Sequence, residues 1–575
     1  MMMWWRFFLL FVCFDIVVRA QAPTNETFTA PTSVPYPRGP DPDSEGTEFL
    51  FTFTRNAHFD ELPYIAFDMI NQDWYATAKV TVELLEGKSK SLPEVVFVEP
   101  KRHYRHVLAS SSYIWGNLND GLQKHPNTIV RLTSTIPIRL YGINQDDSTL
   151  QADVITILPI TMAGTNYVVT LPSASREIYG SWQYHVVYFI PLNYTQPIDI
   201  QTTMVTERGI QSLASTTVTG SAYVHYLAQT GTVSRVPRTY YITSSAPIMV
   251  VAAVTCTDVI TGNLEASGCD YAAYMPAPVY TQGCDEIGYS LYGADTFNTA
   301  HFYVSPPVYN CPAGTNGKDD TFVTVQQDGS TATHRENSRG YQHRLKVATM
   351  DVIGIQSDYA VLQVSRLGGV DIAPRQAKIG AFLTNVPSAS QLITGIHYFY
   401  LPSTRGVLEV TGDAPQIVVD DIAVNYTSTV KNPIGTWYTF QYNITDPYSE
   451  HFVYSSGNYA ATLIGYLGEN AYGFELAYNK LKPGSPYTIV TTTAAPSTLA
   501  PTTPAPTTPA PATQAPTTPA VTPQNNSSAP TTTVTNTPAT TITTTAAPAD
   551  DKKGVSGMSF SIGLTVATVL VVLFM

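Results

Sequence analysis

Three stretches of this chain repeat one shape, and that shape confines the fold to sheet. They read "VRLTSTIPIRLYGIN" (residues 130–144), "YITSSAPIMVVAAVTCTDV" (241–259) and "EVTGDAPQIVVDDIAV" (409–424). Each holds a β-rich run, a small polar pair, a proline and a second β-rich run. Proline removes a backbone donor and fixes φ, so inside a sheet it suits the first residue of a strand or a bulge. The pairs Thr133-Ser134, Ser244-Ser245 and Gly412-Asp413 read as corners, which makes the device a hairpin reused in successive modules. The spacings are too unequal for a tight solenoid.

The rest of the ordered chain agrees. "TEFLFTFTRN" places Phe49, Phe51 and Phe53 on one face, and "KVTVELLEG" does the same with Val80, Val82 and Leu84. "EVVFVEP" and "NYVVTLP" are short β-rich runs closed by proline. This is period-two patterning with turn residues close behind. There are 36 tyrosines, and charged residues make up only 13% of the chain. No amphipathic helix longer than three turns stands out. The expected fold is all-β, with antiparallel sandwich or barrel modules over residues 46–485 and two or more submodules. A β-propeller is the alternative.

Both ends read as secretory-pathway signals. Residues 1–20, "MMMWWRFFLLFVCFDIVVRA", have a weakly positive start at Arg6, a short apolar core and small residues near Ala20, as a signal peptide has. A Pro-rich linker is expected over residues 21–45. Residues 491–548 are nearly all Thr, Pro and Ala, a composition with no apolar surface to offset the entropy of ordering. It matches a disordered, O-glycosylated, mucin-like stalk. Residues 549–575 end in an apolar tail, short for a membrane span and with no Lys or Arg after it. A GPI-attachment signal fits, with Asp550, Asp551 or Gly554 as the anchored residue. A short C-terminal membrane span is the other reading. Either places the protein at the cell surface.

With Cys13 in the signal, four cysteines remain: Cys256, Cys269, Cys284 and Cys311. An even number in a secreted chain suggests two disulfides. Three pairings are open, and neighbours in sequence (Cys256 with Cys269, Cys284 with Cys311) make the simplest. Asn-x-Ser/Thr sequons at Asn25, Asn193, Asn425, Asn443, Asn525 and Asn526 are N-glycan candidates.

The stretch "SSAPIMVVAAVTC", followed by "GCDYAAYMPAP", resembles the N-terminal domain of the IgGFc-binding protein family, which is extracellular and mucus-associated. "GTEFLFTF", "GTNYVVTLP" and "YAATLIGYLGENAYGFELAY" follow in the family's order, so the resemblance covers about residues 46–478. Ala253 stands where glycine is often seen, and the region of Cys284 and Cys311 looks added. The resemblance implies an extracellular, adhesive role and does not imply IgG binding.

The net charge of −13 argues against a nucleic-acid partner. One basic cluster interrupts it: Lys101, Arg102, His103, Arg105 and His106, in "KRHYRH". It is the candidate grip for sulfated or sialylated glycans, with an exposed strand end as the plainer reading. The Asp41–Gly46 run lacks the spacing of a calcium loop, and no cysteine or histidine pair has zinc-ligand spacing. Neither a G-x-S-x-G elbow, an H-E-x-x-H pair nor a P-loop is present. His185, His225 and His397 sit in β-rich runs as wall residues. No metal, cofactor or enzymatic activity is expected. The expected function is an adhesive head for extracellular proteins or glycans, on a stalk. A self-associating coat or matrix component is the alternative, and a surface hydrolase comes third.

Overall fold

Four copies of one strand topology, arranged head to tail, account for almost every strand in the computed structural model. The chain divides into two units, residues 1–493 and 494–575. The structure describes residues 36–481, except 55–62, 86–92, 109–117, 127, 147–150, 176–182, 193–195, 207–208, 219–222, 231–233, 235, 258–269, 280–289, 296–299, 306–319, 328–329, 338–342, 348–351, 358–361, 372–378, 433–434 and 468–469. The expected signal peptide, stalk and anchor residues Asp550, Asp551 and Gly554 lie outside the described residues, as do Asn25, Asn193, Asn525 and Asn526.

The first module holds β1 (Gly46–Phe51), β2 (Tyr64–Asn71), β3 (Ala78–Leu84), β4 (Glu94–Val98), β5 (His103–Leu108), β6 (Gly121–Pro126), β7 (Val130–Asp146) and β8 (Gln151–Ile157). Strand β7 is 17 residues long and works twice. Its first half pairs with β1 and β3, and its second half pairs with β2 and β8. β4 adds to β3, and β5 adds to β2. One bent strand therefore threads two four-stranded antiparallel sheets.

The second module repeats this with β9 (Gly164–Leu171), β10 (His185–Pro191), β11 (Ile198–Thr206), β12 (Gly209–Val218), β13 (Tyr223–Gln229), β14 (Arg238–Thr257) and β15 (Asp270–Tyr274). The 20-residue β14 pairs early with β9 and β11 and late with β10 and β15. β6 of the first module crosses over to extend this sheet beside β13. The fourth module has β24 (Ile393–Tyr400), β25 (Gly406–Gly412), β26 (Gln416–Val419), β27 (Ile422–Asn425), β28 (Ser428–Asn432), β29 (Gly435–Ile444), β30 (Glu450–Leu467) and β31 (Asn470–Glu475), with β30 as the shared strand.

In the third module the shared strand is broken in two. Strands β16 (Ser290–Asp295), β17 (Ala300–Ser305), β18 (Asp320–Gln327), β19 (Ser330–Asn337), β20 (His343–Val347), β21 (Val352–Ser357), β22 (Gln363–Asp371) and β23 (Ile379–Asn385) form two separate sheets. Their orders, β16-β21-β18-β19 and β20-β17-β22-β23, match the two halves of the other modules.

The proline-marked stretches take on a different meaning here. In β7 the register against β1 jumps from Thr133 to Ile138, and in β14 the register against β9 jumps from Thr243 to Ile248. Each polar pair and proline fills a bulge where a continuous strand swings from one sheet to the other, because the ladder there needs no donor from proline. The expected hairpin corner is thus a bend. The third stretch, 409–424, is not equivalent; it spans β25 to β27. The true counterpart in the fourth module is β30, whose register jumps between Ser455 and Asn458.

The last strands of the modules, β8, β15, β23 and β31, lie against one another in a ring. They are not laddered together, so their facing N–H groups need other acceptors. Asp270 and Asp153 supply them. The Asp270 carboxylate accepts N–H groups from Ala152 (2.9 Å), Tyr271 (2.8 Å), Ala381 (3.0 Å) and Ala471 (3.2 Å), one on each of the four strands. Asp153 accepts from Val154 (2.8 Å) and Ala273 (2.9 Å). A propeller shares such a ring of inner strands, but its blades are single sheets, whereas each unit here is two.

Residues 36–45, expected as linker, belong to the fold. Tyr36 packs on Phe452 and Tyr454, and Pro37 O accepts the Ile396 N–H (3.2 Å). Ser44 and Tyr478 exchange hydrogen bonds, and the Lys480 N–H meets Asp43 (2.8 Å). The first described residues thereby tie the fourth module back to the first. Buried ions complete the closure: Arg139 donates to Glu45 (2.6 Å) and also meets His397 Nδ1, while Arg38 takes the other Glu45 oxygen (2.8 Å). Burial and the neighbouring Arg139 push His397 well below the usual imidazole range, so it stays neutral.

Candidate functional site

The basic cluster lies at the seam where the first module meets the fourth. It begins in the turn between β4 and β5, closed by Arg102 N–H to Glu99 O (3.2 Å). That turn docks on the one after β2. Lys101 N–H reaches Asp73 O (3.2 Å), and the Asn71 N–H reaches Arg102 O (3.1 Å). Asp73 Oδ1 caps its own turn by accepting the N–H groups of Tyr75 (2.7 Å) and Ala76 (2.8 Å). Both loops are thus held rigid by backbone bonds.

Most of the cluster's charge is spent inside the protein. Asp68, on β2, is 2% exposed and holds three donors. Arg105 grips it with two bonds of 2.7 Å, and His103 Nε2 adds a third at 2.7 Å. Burial pushes the Asp68 carboxyl up, but these three bonds outweigh it and hold the group below its usual range. Its carboxylate raises Arg105 further, against burial. The His103 ring stacks on Tyr400 of the fourth module, 3.5 Å between centroids and 8° from parallel. His106 is buried and faces Glu94 at 3.3 Å; burial lowers its pKa.

Lys101 and Arg102 take no part in the Asp68 network. Lys101 Nζ lies 3.1 Å from the centre of the Trp74 ring, and burial lowers its pKa. Arg102 has a side chain 66% exposed and reaches Glu450 loosely, at 3.7 Å. Tyr75, next to Trp74 in the turn after β2, is 61% exposed, and Tyr448, two residues before Glu450, is 57% exposed. The non-glycine residues with positive φ among those described are Lys101 (57°), Asp420 (47°), Asp421 (64°) and Tyr448 (52°). Asp420 and Asp421 form the two-residue turn between β26 and β27, where positive φ is usual. Lys101 and Tyr448 each follow a proline, Pro100 and Pro447, at the third position of a four-residue turn, where positive φ is also usual.

Of the other expected sites, Cys256 is buried and disulfide-bonded. Cys269, Cys284 and Cys311 lie outside the described residues, so the pairing stays open. Asn425 on β27 and Asn443 on β29 are exposed, as N-glycans require. His185 is a wall residue: its Nε2–H donates to Pro172 O (2.8 Å), so Nδ1 accepts from the Tyr240 hydroxyl (2.9 Å). The sequence reading passed over Asp68, Trp74, Tyr398, Tyr400 and Glu450. A lone carboxylate in the apolar run "YIAFDMIN" was the signal for the first.

No protein-family model, curated protein or solved structure matches this chain. Among the described residues, no helix is long and apolar enough to cross a membrane, and no cluster of His, Cys, Asp and Glu has the geometry to hold a metal ion.

Proposed function

We propose that this chain is an extracellular binding head for glycans or proteins, displayed at the outer cell face on a mucin-like stalk and a lipid anchor. The seam between the first and fourth modules is its contact surface. The observation that carries this reading is the pair of docked turns that present Lys101, Arg102, Trp74 and Tyr75 on a rigid base. Such a surface loses little conformational entropy when it binds, and Trp, Tyr and Arg supply most of the energy at binding surfaces. Exposed Asn425 and Asn443 suit a glycoprotein head. The resemblance to the IgGFc-binding protein family, resting on the quoted stretches, supports an adhesive role.

The test has two arms. Phospholipase that cuts GPI anchors should release the protein from intact cells; retention on the membrane would remove the anchor from the proposal. The released protein should bind an array of sulfated and sialylated glycans, or a cell-surface protein. The double substitution Lys101→Ala with Arg102→Ala should weaken that binding at least tenfold, and unchanged binding would exclude the seam.

A further inference from the structure

Beside this seam, three side chains of the fourth module stand in the order of a proton relay. Ser449 Oγ lies 2.9 Å from His451 Nε2, and His451 Nδ1 lies 2.6 Å from Asp420 Oδ2. We propose that Ser449, His451 and Asp420 form a nucleophile–base–orienting set that hydrolyses carboxylic esters. This goes beyond the binding role and does not depend on it.

The proton positions follow from the partners. An ionised carboxylate only accepts, so the Nδ1–H donates to Asp420. In the neutral ring with its proton on Nδ1, Nε2 carries a lone pair 2.9 Å from Ser449 Oγ, the tautomer a general base needs. The set is held from behind. Asp420 Oδ1 accepts the Phe452 N–H (2.9 Å), and the Asp420–Asp421 turn fixes its backbone. The His451 ring is 5% exposed and lies against Phe399, with ring centres 5.5 Å apart. Ser449 is half-buried at the surface, next to the positive-φ residue Tyr448. The Ser449 hydroxyl donates to Asp446 O (2.9 Å), and that carbonyl also lies 3.2 Å from His451 Nε2, so the hydroxyl must turn from Asp446 toward Nε2 for its proton to pass.

The chemistry balances without a cofactor. Ser449 Oγ attacks the ester carbonyl carbon as its proton passes to His451 Nε2. The C–O bond to the leaving alcohol breaks, and the alcohol takes that proton. Water then attacks the acyl-serine, loses a proton to His451 and releases the carboxylic acid, restoring Ser449.

The full-length protein, purified from cells, would be treated with a biotinylated fluorophosphonate, and the modified peptide mapped by mass spectrometry. Hydrolysis of p-nitrophenyl acetate would be followed in parallel. The expected result is labelling at Ser449, lost in Ser449→Ala, with ester hydrolysis in that variant falling at least tenfold and its melting temperature unchanged. Asp420→Asn should slow labelling at least tenfold. The wild-type labelling needs no variant to fold. Absence of label on Ser449, under conditions that label a known serine esterase, would overturn the proposal, as would equal hydrolysis by wild type and Ser449→Ala.

Discussion

Asp270 and Ala471, 201 residues apart, are joined by a 3.2 Å hydrogen bond at the centre of the ring of modules. The same carboxylate binds the inner strands of the first and third modules, so one side chain links all four. Replacing Asp270 with alanine would leave four buried N–H groups without an acceptor, at about 1–3 kcal/mol each before relaxation. Asp270→Ala should therefore fail to fold or melt far below wild type, while Asp270→Asn, which keeps one acceptor oxygen, should be milder. The yield of folded protein and thermal melting check both.

Glu475 sets a pH dependence. Burial pushes its carboxyl up to about 8, against the Thr384 hydroxyl and the charge of Arg366. The folded protein holds this proton up to about pH 8, while the unfolded chain loses it near the ordinary value of 4.5. Its contribution is complete below pH 4.5 and is lost as pH rises toward 8, at about 1.4 kcal/mol per unit. Glu475→Gln should remove that slope. Relative to wild type, its melting temperature should rise between pH 5 and pH 9; a constant difference would refute the assignment.

The closure of the ring rests on Arg139 and Glu45, with side chains 2% and 0% exposed. Breaking a buried pair strands the remaining charge and costs about 3–5 kcal/mol. Arg139→Ala and Glu45→Ala should each lower stability by that order. The double variant should cost less than the sum, which a double-mutant cycle by chemical denaturation measures.

Asp68→Ala should strand Arg105 and His103 at the seam. The expected outcome is a loss of about 3–5 kcal/mol in denaturant unfolding. A ligand bound through Lys101 and Arg102 should also bind at least severalfold more weakly, because the strand that continues from their turn loses its anchor.

Much of the fold was legible, and the reason is local. Phe49, Phe51 and Phe53 are buried as their alternation indicates, and the runs around Val80 and Val168 are strands. The fourfold repeat was hidden because its signature is a bulge, and bulges tolerate different residues: Ser134 to Pro137 in one module, Ser456-Gly457 in another, a break in the third. "GCDYAAY" drew attention to its cysteine, although Asp270 is the residue that holds the ring. The basic cluster was found, but its internal partner Asp68 lies more than thirty residues earlier in the chain. Ser449 and His451 stand two apart in "YSEHF", and Asp420 comes from a distant turn, so their meeting could not be read from spacing.

The tie between Ser44 and Tyr478 also governs the order of assembly. Synthesis makes residues 36–45 before any strand of the four modules, yet their partners on the fourth module emerge after every strand of the other three. The leading segment must wait, unpaired, while more than four hundred residues are translated, and ribosome-bound chains cut short before Tyr478 carry an open ring. Such long-range closure slows folding and leaves edges exposed to neighbouring nascent chains, so the step that completes the ring is where a chaperone would have most to protect.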